Sequence, residues 1–261
     1  METEMITAAE MLAKVMARLC NEPLLSDFKY LKSESAFRLK VKDGWYRLTL
    51  IHSRIPSWWM KSRDDSEICA DFLQIVPSAS RRFDILWKWL EEYAADDEWK
   101  RKIRKLSNAL INPKNFQLPE FFYFSLDGSN FEQEYHRLYM MIEILVEAIF
   151  HYPTIECFYH QEVKQYLKIP PHTMGFIGTF PYLLVSRIVD IDNYSTLKST
   201  MNQYYKKEKE LDMFDYKTYE SKIPVMIERL EKLGDEIRTM RTSEVGIDHD
   251  PIWDKIRERI G

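Results

Sequence analysis

The chain has 261 residues, 45% hydrophobic and 14% aromatic, with 37 Lys and Arg against 41 Asp and Glu for a formal charge of −4. This apolar content excludes a disordered chain. Seven glycines exclude a collagen-like or glycine-rich fibre, and the even charge balance excludes a protein that coats nucleic acid by bulk electrostatics.

A chain of this length forms one large domain or two modest ones and can bury its core without disulfide staples. Cys20, Cys69 and Cys157 are far apart, odd in number and form no CxxC pair, which fits a reducing compartment. The N-terminus, Met1-Glu2-Thr3-Glu4, has neither a basic nor an apolar leader segment. The longest apolar stretch, 176–189, falls short of the ~20 residues a membrane span requires and reads as a buried strand or helix. The expectation is a cytoplasmic protein without a membrane partner.

In chain order, residues 3–20 read as an amphipathic helix. Thr7 and Glu10 are spaced as a capping box, Ala8, Leu12, Val15, Met16 and Leu19 recur at helical spacing, and Pro23 closes it. Residues 36–52 read as a β-hairpin turning on Asp43-Gly44. That loop sets Lys42 opposite Trp45, Val41 opposite Tyr46, Leu39 opposite Leu48 and Phe37 opposite Leu50. One face is then apolar (Phe37, Leu39, Val41, Tyr46, Leu48, Leu50) and the other carries Arg38, Lys40, Lys42 and Arg47. A strand is expected over 68–76, stopped by Pro77, and a helix over 80–94 with Ser80 as its N-cap and Phe83, Leu86, Trp87 and Leu90 on one side. Residues 94–105 are charged, acidic first and then basic. Asn112-Pro113 suggests a soft boundary between a 1–112 α+β domain and a 113–261 mainly helical one. A short strand over 121–126, closed by Asp127-Gly128, can instead join the first sheet and remove that boundary.

The second half reads as helical. Ser129 and Glu132 are spaced as a capping box ahead of a long helix to about residue 150, apolar along Phe131, Tyr135, Leu138, Tyr139, Ile142, Leu145, Val146 and Ile149. Shorter helices are expected at 155–168, 180–190, 195–210 and 222–234, with Pro153, Pro170-Pro171, Pro181 and Pro224 at their starts or breaks and Gly234 as a C-cap. Residues 239–249 read as a loose connector to a last helix, 251–260, carrying Trp253. The fold class is α+β, a small antiparallel sheet with flanking helices followed by a helix-rich C-terminal portion.

No nucleophile elbow, P-loop, dinucleotide-binding glycine pattern or HExxH occurs. Glu132, His136, Glu143 and Glu147 share one side of the long helix. Charged residues belong on its wet stripe, and no second helix supplies matching metal ligands, so no metal and no cofactor are expected. His136 and Glu143 are the remaining acid–base candidates. Ser80, Arg81 and Arg82, read as a helix start, are candidates for holding an anion or phosphate, with a nearby carboxylate such as Asp84 or Asp71 as the bland partner. Arg38, Lys40, Lys42, Arg47 and Trp45 make a basic strand surface with an aromatic edge, a combination that binds single-stranded nucleic acid. The same residues are also ordinary for the wet face of a ribbon. Trp58, Trp59 and Trp253 are candidates for a partner surface.

Three readings follow. The first is a non-catalytic protein-interaction or regulatory module, immunity-type binders included, whose partner is another protein or a second copy. The second is an enzyme or sensor for an anionic or phosphorylated small molecule. The third is a nucleic-acid binder.

Overall fold

The structure, a computed structural model, describes residues 5–58, 71–91, 97, 100–101, 104, 109–111, 118–167, 176–210 and 223–232. Contacts group the chain into two compact units. One takes in Met1–Arg81 and Leu110–Phe150, the other Arg82–Ala109 and His151–Asp250.

The first unit begins with α1 (Ala8–Leu19), which starts later than the expected residue 3, at the Thr7/Glu10 capping box. The Glu10 N–H donates to the Thr7 hydroxyl, and the Thr7 N–H donates to the Glu10 carboxylate at 2.7 Å. Met11, Val15, Met16 and Leu19 are its buried stripe. The sheet follows, with β1 (Lys29–Leu31), β2 (Ala36–Val41), β3 (Gly44–Ile55), β4 (Phe72–Phe83), β5 (Ala109–Ile111) and β6 (Phe122–Ser125). Its order is β1-β2-β3-β4-β5, and β6 also pairs with β4. The β1–β2, β2–β3 and β4–β6 pairs are antiparallel. The 121–126 segment therefore belongs to the first sheet.

The hairpin forms, but two residues out of the expected register. Val41 pairs with Gly44, Lys40 with Trp45, Leu39 with Tyr46 and Phe37 with Leu48. A loop centred on Asp43-Gly44 requires positive φ at Asp43. Here the only described non-glycine residue with positive φ is Ser35, and Gly44 takes φ 152° as the first residue of β3. Asp43 instead aims its carboxylate at Arg81, 2.5 Å away. A two-residue slip leaves every side chain on its original face, so Phe37, Leu39, Val41, Tyr46, Leu48 and Leu50 are all buried as expected.

The expected 68–76 strand is β4, and it does not stop at Pro77. Pairing with β6 ends at Ile75↔Phe122, so the N–H that proline lacks falls outside that ladder. Leu73, Ile75, Pro77, Ala79, Arg81 and Phe83 alternate onto the buried face, and Ser80 and Arg82 on the other side are buried too. Ser80 is thus a strand residue whose hydroxyl donates to the Arg47 carbonyl, not a helix cap. The next helix, α2 (Asp84–Glu91), begins four residues later than the spacing implies, with Asp84 in its first turn.

The long helix, α3 (Phe131–Ile149), packs Phe131, Tyr135, Leu138, Ile142, Leu145, Val146 and Ile149 into the core. Its expected Ser129/Glu132 box is absent. Asn130 is the N-cap and uses its amide elsewhere, accepting from the Ser125 N–H at 2.8 Å and donating to the Tyr123 carbonyl at 2.7 Å. Glu132 pairs with Arg18 of α1 at 2.6 Å. Gly128, at φ 75°, makes the turn into the helix. The Phe150 ring meets Tyr46 edge-on at 5.1 Å and joins the end of α3 to the hairpin.

In the second unit the expected 155–168 helix is a composite. A short α4 (Ile155–Phe158) continues as a π turn (Tyr159–Val163) and a 3₁₀ turn (Lys164–Leu167). Then come α5 (Phe176–Val189), α6 (Ile191–Glu210) and α7 (Ile223–Lys232). Pro181 lies inside α5 rather than opening it. Asp190 joins these pieces. It accepts from the Tyr159 hydroxyl at 2.7 Å and from the Asn193 N–H at the start of α6. Among the described residues no helix is long and apolar enough to cross a membrane. The 239–249 connector, the 251–260 helix, Gly234, Pro170-Pro171 and most of the 94–105 run lie outside the described residues.

Arg81 is fully buried and Asp43 half-buried. Removing one partner strands a charge in the core, so Asp43→Ala is expected to destabilise the protein by about 3–5 kcal/mol in urea unfolding. Adding Arg81→Met to that variant should restore most of the loss. Equal instability of the single and double variants would show that the pair does not tie turn to strand.

Candidate functional site

The described part of the first unit presents two surfaces built by the sheet. The first is its outer face. Burial alternates along β2 and β3, with Arg38 and Lys40 exposed between buried neighbours and Trp45, Arg47 and Thr49 half-buried. Lys29, Arg38 and Arg47 stand directly opposite one another on three adjacent strands, and Lys40 stands opposite Trp45. Like charges facing across strands repel. Glu34 relieves one of them, accepting from Arg47 at 3.0 Å. The same face continues through Ser53, whose hydroxyl donates to Gln74 of β4, and Gln74 donates to the Tyr123 hydroxyl of β6. Tyr123 lies beside Phe72 and Phe121, with ring centroids 6.5 and 6.3 Å away.

The second surface lies where β3 ends. Asp71 accepts two hydrogen bonds from the Arg54 guanidinium, at 2.9 and 2.5 Å, and one from the Ser57 N–H at 2.9 Å. The Ser57 N–H, and after it Arg54, holds the Asp71 carboxyl below its ordinary range. Its carbonyl takes the Leu126 N–H, and the Leu126 carbonyl takes the Ile6 N–H. Met5, Ile6, Arg54, Asp71 and Leu126 line a cleft of about 470 Å³ at the start of α1. Trp58 follows the anchored Ser57 and is 70% exposed, and Met5 on the cleft wall is 67% exposed. Of the expected partner surface, Trp58 is thus on show, whereas Trp59 and Trp253 lie outside the described residues.

The other candidates fall elsewhere. His136 and Glu143 are exposed on α3 along with Glu132 and Glu147. Among the described residues no group of three or more His, Cys, Asp or Glu is placed to hold a metal ion. Ser80, Arg81 and Arg82 are buried in β4. The Arg81 guanidinium sits 4.4 Å over the Tyr46 ring and pairs with Asp43. Arg82 pairs with Asp84 at 2.8 Å and Glu91 at 3.7 Å, so the nearby carboxylate named from the sequence is its first partner. Asp71 serves Arg54 instead.

Sequence reasoning missed Arg54 and gave Asp71 the wrong partner. They are 17 residues apart and separated by a stretch without periodicity, so only the pairing of β3 with β4 brings them together.

A carboxyl depressed by folding adds stability above its unfolded pKa, and that stability is lost as pH falls through the lower folded value. Asp71→Asn should therefore lower stability at pH 7 and flatten the acid limb of a stability–pH profile below about pH 4. An unchanged acid limb would mean Asp71 is not held by these donors.

No protein-family model, no curated protein and no solved structure matches the chain.

Proposed function

We propose that this protein is a non-catalytic interaction module, a regulator or adaptor, which docks another protein over Trp58 and the adjoining cleft. The observation that carries the reading is the indole of Trp58, 70% exposed and one residue from the backbone N–H that Asp71 holds. Large exposed rings on an anchored backbone are the usual centres of protein interfaces, because burying them releases much apolar area at little entropic cost. Met5 adds a flexible apolar neighbour on the cleft wall, and the Arg54–Asp71 pair supplies a polar rim.

The enzyme reading has less support. It needs acid–base and anion-holding groups around one cavity. His136 and Glu143 are on a wet stripe, and Arg81 and Arg82 already neutralise internal carboxylates.

Native mass spectrometry of the protein isolated from its own host tests the proposal. A second polypeptide in fixed stoichiometry is expected, lost from the Trp58→Ser variant while that variant keeps its circular dichroism. A bound small molecule in place of a polypeptide would overturn the reading, as would a complex indifferent to Trp58.

A further inference from the structure

The segment 29–54 contains seven Lys and Arg and two carboxylates, a local charge of +5 in a chain whose total is −4. Both carboxylates are committed: Asp43 to buried Arg81 and Glu34 to Arg47. Among the described residues Lys29, Arg38, Lys40 and Lys42 enter no ion pair, and all four are exposed. Folding sets Lys29 and Arg38 across from each other and Arg38 across from Arg47, a row of like charges about 10 Å long at normal strand spacing. Such a row costs stability in the free protein and is relieved by a polyanion.

The aromatic residues decide which polyanion. Trp45 is half-buried and directly opposite Lys40. Tyr123 and its ring neighbours stand further along the same outward face, linked to it through Ser53 and Gln74. A sheet face with cations and rings side by side suits a flexible phosphate backbone with unpaired bases, because bases stack on rings while phosphates meet Lys and Arg. An acidic polypeptide would use the charges but does not carry a stacking base on every unit, as a nucleic acid does.

We propose that the outer face of the sheet, through Lys29, Arg38, Lys40, Lys42 and Trp45, binds single-stranded nucleic acid. The inference does not rest on the docking surface at Trp58.

Fluorescence anisotropy with labelled 20-mers of oligo(U) and oligo(dT), added to the full chain at 50 mM salt, tests it. Binding is expected, weakening about fifty-fold by 200 mM salt if four phosphates are neutralised. The Arg38→Glu/Lys40→Glu variant should lose more than tenfold and show a shallower salt slope. Trp45→Ala should lose about tenfold with the slope unchanged, which separates stacking from charge. All three positions lie on the outward face, and circular dichroism confirms that each variant is folded. Preference for oligo(U) marks RNA and preference for oligo(dT) marks DNA, and either supports the proposal. Failure to bind at 50 mM salt would overturn it. So would binding that the charge reversals leave intact, or polyglutamate competing as well as unlabelled oligonucleotide, which would give the face to an acidic protein instead.

Discussion

A guanidinium on the core side of a β-strand constrains the rest of the first unit. Arg81 occupies a position in β4 where the alternation calls for an apolar side chain, between Ala79 and Phe83, and it is fully buried. A charge there is tolerable only with a partner of opposite sign and a polarisable neighbour. Asp43 provides the first at 2.5 Å, and the Tyr46 ring provides the second at 4.4 Å. Both come from the hairpin, one from its turn and one from β3. The pair therefore couples the tip of the β2–β3 ribbon to a strand 38 positions away. It also accounts for the turn. A carboxylate recruited to Arg81 leaves Gly44, rather than Asp43, to adopt the positive φ.

That coupling sorts the unit's cations. Arg81 is consumed inside the sheet and Arg47 is half-shielded by Glu34, whereas Lys29, Arg38, Lys40 and Lys42 remain in water. In the second unit Arg82 is buried against Asp84 and Glu91. The Arg81-Arg82 pair is as basic in sequence as the hairpin, yet it serves packing. Its charge is answered by residues near in space, only one of which is near in sequence.

Legibility followed the range of the determining interaction. The α1 cap is local to four residues, and Thr7 and Glu10 could be read directly. The faces of the hairpin were legible because period-two alternation survives an even slip. The register was not, because Asp43 answers to Arg81 rather than to its neighbours. Pro77 was misleading for a similar reason. The β4–β6 ladder stops at Ile75, two residues before Pro77, while β4 itself runs on to Phe83. Ser129 and Glu132 have the spacing of a capping box, but Asn130 is the N-cap and bonds the backbone of β6, and Glu132 pairs with Arg18 of α1. The candidate sites divide the same way. The basic face could be listed from spacing, whereas the Arg54–Asp71 anchor beside Trp58 required knowing that β3 and β4 are neighbours.

The chemistry of the cations accounts for why burial falls on arginine. A guanidinium is weakly hydrated, planar and able to lie over a ring while its edge meets a carboxylate, so its transfer into the sheet costs less than that of an ammonium. Arg81 over Tyr46 and Arg82 near Trp87, at 5.8 Å, both use that geometry. Lys29, Lys40 and Lys42 have strongly hydrated point charges on flexible stems and stay at the surface. Arg38 is an arginine left outside, although the fold elsewhere places arginines within reach of acids. Its cross-strand neighbours are Lys29 and Arg47, and of these three cations only Arg47 has a carboxylate partner, Glu34, among the described residues. The charge that the fold leaves unanswered is thus concentrated at one point of the sheet, between two other cations and two residues from the Lys40–Trp45 strand pair.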